Sequence, residues 1–152
     1  MDIEEILRDN HGRLARIARQ YGGAEWRDLL QAIHLALWRS FESFASRSSV
    51  ETWVYRVAIN TALSHQRKKR PETTGIDNLE SLHAASSARD PMRILEAFLR
   101  SLDPVNRAVL MMDLDGMSRY EIAEVLGLSP GAVAVRMTRL KKRFEDDYVE
   151  SR

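Results

Sequence analysis

Apolar residues along this chain recur at steps of three and four, the spacing that lines one face of a helix. Ile3, Ile6, Leu7, Leu14, Ile17, Ala18 and Tyr21 share such a face and predict a helix over 3–21, which Gly22-Gly23 ends. Leu29, Leu30, Ile33, Leu37 and Phe41, with Trp38 beside them, predict a second helix over 25–40. The polar run Ser43 to Ser49 reads as a loop. A third helix is predicted over 50–69, with Trp53, Val57, Ile59 and Leu63 as its apolar stripe and Ser49 near its start. Its last residues, Arg67-Lys68-Lys69-Arg70, complement the negative end of the helix dipole.

Periodicity lapses over 71–92, a stretch bracketed by Pro71 and Pro91 and rich in Ser, Thr and Ala. It reads as a flexible linker. Helical spacing resumes with Ile94, Leu95, Phe98 and Leu99, a short helix over 93–101. Asp103-Pro104 then opens a helix carrying Val105, Ala108, Val109 and Met112, and Gly116 ends it. Ser118 with Glu121 has capping-box spacing and introduces a helix with Ile122, Ala123 and Leu126. After Gly127-Leu128, Ser129-Pro130 caps a last helix whose stripe is Val133, Met137, Leu140 and Phe144. The pattern is all-α: two small helical domains, 1–70 and 93–152, joined by the linker 71–92.

Composition narrows the chemistry. The 152 residues include no Cys, which excludes disulfides, thiolate metal sites and a cysteine nucleophile. His11, His34, His65 and His83 have no ligand-like spacing, and no glycine-rich phosphate loop or nucleophile elbow occurs, so neither metal, cofactor nor catalysis is expected. No apolar run is long enough to enter a membrane, and no signal peptide is visible. The total net charge of +1 says little, but its distribution is uneven. Residues 1–70 carry 12 Lys+Arg against 8 Asp+Glu, residues 71–92 carry 1 against 4, and residues 93–152 carry 10 of each.

The second domain has the more specific pattern. Two helices joined by a short turn with Gly127 make a helix-turn-helix, in which the second helix enters the DNA major groove. Arg136, Arg139 and Arg143 lie on its outer face, with Lys141 and Lys142 beside them. Arginine can bond guanine bidentately, and either cation can meet phosphate.

Both domains resemble bacterial RNA polymerase sigma factors of the extracytoplasmic-function (ECF) group. The resemblance rests on Asp28-Leu29-Leu30-Gln31 through Leu37-Trp38, on Thr52-Trp53 with Tyr55-Arg56, Ala58 and Asn60 ahead of the basic run, and on Glu121-Ile122-Ala123 with Leu126-Gly127-Leu128-Ser129. It implies a sigma region 2 domain of three helices and a helix-turn-helix sigma region 4 domain. The chain would be a cytoplasmic subunit that directs core RNA polymerase to promoter DNA without catalysis of its own. Polymerase binding, to the clamp helices, is expected of Asp28, Leu29, Gln31, Leu35 and Trp38, and region 4 is expected at the flap. Melting and reading of the −10 element are expected of Phe44, Ser48, Ser49, Thr52, Trp53, Arg56, Asn60, Arg67, Lys68 and Arg70. Reading of the −35 element is expected of Ser129, Pro130, Ala132, Arg136, Arg139, Lys141 and Arg143. Most relatives are held in check by some control, so an anti-sigma factor is a further expected partner.

The chain departs from the family pattern at Ala32, where an acid is usual, at His34, where the usual residue is apolar or aromatic, and at Ala132, Ala134 and Val135, where Thr, Lys and Ser are frequent. The last three leave open weaker −35 binding, reading of DNA shape, methyl contacts to thymine, or a regulator on this face. A stand-alone helix-turn-helix regulator is the alternative reading.

Overall fold

The computed structural model describes residues 2–44, 48–68 and 90–149, and they fold as helices. The chain divides into two compact units, with the division after Arg70; of the expected linker 71–92, all but the last three residues lie outside the described residues. In the first, α1 is Ile3–Asp9, α2 His11–Gly22, α3 Trp26–Phe44 and α4 Val50–Lys68.

The helix expected over 3–21 is two helices, so the described residues of the first unit form four α-helices where three were expected. Asn10 makes the break, at φ −106° and ψ 9°. Its amide donates to Ile6 O at 2.8 Å, and its Oδ1 accepts from Arg13 at 2.6 Å. A side chain that bonds the backbone of its own turn competes with continuous helix. The Gly22-Gly23 stop is as read. Gly23 takes φ 56°, and a Cβ on Gly22 would stand 3.3 Å from that of Leu29.

The core of this unit is Ile6 of α1, Leu14, Ile17, Ala18 and Tyr21 of α2, Leu29, Ile33 and Leu37 of α3, and one side of α4. That side is Val54, Tyr55, Ala58, Ile59 and Ala62; of the expected stripe, Trp53 and Ile59 are buried, while Val57 and Leu63 are half-buried. Helix α4 is apolar on two sides, so spacing alone does not choose between them; contact with α2 and α3 does. Gln66 Nε2 donates to Tyr21 O at 2.8 Å, filling an acceptor in the last turn of α2.

The second unit comprises α5 (Pro91–Ser101), α6 (Pro104–Leu114), α7 (Arg119–Leu126) and α8 (Pro130–Phe144). Helix α5 begins two residues before its expected start. Asp90 is its N-cap, accepting from Met92 N, and Pro91 is its first residue. Thus Asp90-Pro91, Asp103-Pro104 and Ser129-Pro130 repeat one device, an acceptor side chain followed by a ring already set at the helical φ. Arg107 is 7% exposed and would be costly unpaired. Its Nε and Nη2 each donate at 3.0 Å, to Leu99 O and Leu102 O, so α6 holds the end of α5. Phe98 packs edge-on to Phe144 at 5.1 Å and Tyr148 at 5.9 Å, closing α5 onto the π-helical turn Glu145–Val149 after α8.

Candidate nucleic-acid and polymerase interfaces

Helix α3 buries Leu29, Ile33 and Leu37 and turns another side outward. Leu35 is 48% and Trp38 53% exposed, and Asp28 and Gln31 are exposed with them. A large aromatic and a leucine side by side on a free helix face are suited to a partner helix. Leu29, expected in this set, is 1% exposed and belongs to the core, one residue out of phase with the outward side. His34 is half-buried; its Nε2 has no hydrogen-bond partner among the described residues. Burial, and then the nearby His11, hold its pKa below the usual 6.5.

The segment before α4 is tied to it locally. Ser49 Oγ accepts from Thr52 N at 3.1 Å and donates to Thr52 Oγ1 at 2.9 Å, the cap expected at this start. Thr52 is thereby buried. Trp53, expected as a stacking platform, is 4% exposed. The Phe44 ring covers it at 4.8 Å, nearly parallel, and Phe41 stands at 6.1 Å. Phe41 and Phe44 are both half-buried, so each is more accessible than the Trp53 they cover. Ser48 and Arg56 are half-buried, while Asn60, Arg67 and Lys68 are exposed. Asn60, Lys68, Thr61, Ser64 and His65 line an open cleft that Leu29 and Ala32 of α3 complete. Arg70 lies outside the described residues.

In the second unit, α7, the turn and α8 form the expected helix-turn-helix. Ser118 and Glu121 make both bonds of the capping box, at 3.2 and 2.9 Å. Gly127 takes the left-handed conformation at φ 70°, and Ser129 Oγ accepts from Ala132 N at 3.1 Å. Val133 and Leu140 are buried, and Val135 is exposed on the outer side. Pro130 and Ala132 are half-buried there, and Arg139 is exposed.

The cations of α8 are not equivalent. Arg136 is half-buried and donates through Nη1 to Asn106 Oδ1 at 2.7 Å. Arg143 turns to the end of its own helix, with Nε 3.8 Å from Asp147 and its guanidinium 5.9 Å from the Phe98 ring. Lys141 lies about 140° around the helix from Arg136 at 100° per residue. By the same count Lys142 lies about 120° from Arg136 but only about 60° from Arg139. Arg119 and the exposed Tyr120, at the start of α7, stack as cation and ring at 5.1 Å.

Residues 6–72 match the family described as Sigma-70 region 2, and residues 92–144 match Sigma-70, region 4. The chain is 25% identical over 158 residues to the ECF RNA polymerase sigma-E factor of Escherichia coli (strain K12), covering 93% of this chain and 83% of that protein. It is 30% identical over 149 residues to the ECF RNA polymerase sigma factor SigG of Mycobacterium tuberculosis (strain CDC 1551 / Oshkosh), covering 78% of this chain and 40% of SigG. Two solved structures share the fold. The sigma factor RpoE of Bartonella quintana, in complex with the anti-sigma factor NepR, aligns with a TM-score of 0.73 at 18% identity, over 95% of each chain. CnrH, in complex with the cytosolic domain of CnrY, aligns with a TM-score of 0.69 at 24% identity, over 95% of this chain and 85% of CnrH.

These matches define a class, proteins that carry sigma-70 regions 2 and 4 on one helical chain. The chain belongs to the sigma-70 family and is an RNA polymerase sigma factor of its ECF group. The alternative of a stand-alone helix-turn-helix regulator is set aside, because both units match sigma regions.

Proposed function

We propose that the two units divide the work of promoter selection. Helix α3 docks core RNA polymerase through Asp28, Gln31, Leu35 and Trp38 at the clamp helices. Helix α4 and the segment before it open and read the −10 element, with Arg56, Asn60, Arg67 and Lys68 toward DNA. Helix α8 reads the −35 element in duplex form through Arg136 and Arg139, with Lys142 and Arg119 toward phosphates and the flap as its polymerase contact. The domain boundaries that serve this division are 1–70 and 93–152, with 71–92 between them. The chain acts in the bacterial cytoplasm and catalyses nothing itself. An anti-sigma factor is a further partner, a reading supported by the Bartonella neighbour, which was solved with one.

The observation that carries the proposal is the contrast between the two outward faces. Helix α3 offers Leu35 and Trp38, apolar surface suited to protein, while α8 offers Arg136, Arg139 and Lys142, cations suited to DNA. The test is affinity for core polymerase by fluorescence titration. The joint Leu35→Ala, Trp38→Ala substitution should weaken it by about tenfold or more and leave the unfolding midpoint in place, since both side chains are exposed. Unchanged affinity would remove α3 from the polymerase interface.

A further inference from the structure

We infer that Asn106 of α6, which lies outside the helix-turn-helix, is a positioning residue for −35 recognition because it aims the Arg136 guanidinium. The inference rests on the proposal that Arg136 reads the −35 element.

The three side chains form a directed relay. Asp103, the N-cap of α6, accepts from Asn106 N at 3.2 Å through Oδ2 and from Asn106 Nδ2 at 2.6 Å through Oδ1. With its nitrogen on the carboxylate, the amide of Asn106 presents Oδ1 to Arg136 Nη1 at 2.7 Å. The opposite amide orientation would set oxygen against carboxylate and NH2 against guanidinium, two donor–acceptor mismatches. The carboxylate of Asp103 therefore fixes the direction of the whole chain of bonds.

The platform under the relay is held on both sides. The backbone of Asn106 lies in the capped first turn of α6, and its neighbour Arg107 is bonded to the end of α5. A free arginine side chain samples many rotamers, and fixing it on DNA costs entropy. Here one donor of Arg136 is already spent on Asn106, and no other partner meets the guanidinium among the described residues. Its remaining donors suffice for a bidentate bond to guanine O6 and N7. Ala132 and Val135 on the same side supply no competing polar contact, so base preference leans on the Arg136 geometry.

The test uses holoenzyme assembled from the full chain and core RNA polymerase. It selects from double-stranded promoter fragments randomised over the upstream element, and the bound fraction is sequenced. Arg136→Ala should flatten preference at one or two base positions by about 5- to 100-fold, the range of one bidentate base contact. Asn106→Leu, close to Asn in shape but without its hydrogen bonds, should flatten the same positions, by about threefold to tenfold, and leave preference elsewhere intact. Combined with Arg136→Ala it should add nothing, because Asn106 acts through Arg136. An Asn106→Leu chain that keeps its preference, or one that loses it equally at every position or additively with Arg136→Ala, overturns the inference. If Arg136→Ala itself changes no position, the reading of Arg136 fails, and the inference fails with it.

Discussion

His34 shows how a single side chain ties stability to pH. It occupies α3 beside the outward face, and burial keeps its imidazole neutral below its usual 6.5. Between 6.5 and the lower folded value, the unfolded chain binds a proton that the folded chain refuses. Stability therefore rises with pH across that window and is lost as pH falls through it. The unfolding midpoint in urea should fall more steeply between pH 7.5 and 5.5 in the native chain than in a His34→Phe variant. Equal slopes would show that His34 does not report burial. The sequence made this residue visible as an apolar site occupied by histidine, but not the direction of its effect, which depends on the packing around it. Trp53 and Leu29 make the same point. Each lies in a segment matching the family, yet the structure puts Leu29 in the core and Trp53 under Phe44. Spacing identifies a face, and only the neighbouring helices decide whether it is covered.

At the scale of elements, the capped starts were the most legible features. Asp103-Pro104, Ser118 with Glu121, and Ser129-Pro130 all form as read, because an N-cap depends on residues within one turn. Misreadings arose where a local signal was weak or shared. Asn10 splits α1 from α2 by side-chain bonds that leave the apolar spacing intact, and Asp90-Pro91 passed for the end of the linker. The turn of the helix-turn-helix rests on Gly127. Its φ of 70° is strained for any residue with a Cβ, although no atom stands within 4 Å of where that Cβ would be. The cost of substitution is thus conformational rather than steric. Gly127→Ala should lower the stability of the second unit by about 1–2 kcal/mol, and Gly127→Asn by less, since Asn tolerates this conformation. Denaturant unfolding measures both. An alanine variant as stable as the native chain would contradict the strained turn.

For the whole molecule, the sequence pattern is two helical stretches on either side of an acidic one in which periodicity lapses. Its charge pattern matches a subunit that meets nucleic acid at both ends, with net charges of +4 over 1–70 and −3 over 71–92, and a local cluster of cations on α8. What the sequence alone did not reach is the side-chain pairing between elements, such as Arg107 with the end of the adjoining α5 or Arg136 with the more distant Asn106, because such contacts leave no periodic trace. As a sigma factor, this chain confers promoter selection on RNA polymerase. The direct measurement is transcription by core polymerase, with and without the chain, from a pool of promoter fragments, with the transcript ends sequenced. Start sites should arise only with the chain and share two upstream elements at a fixed spacing. Identical start sites in its presence and absence would contradict that role.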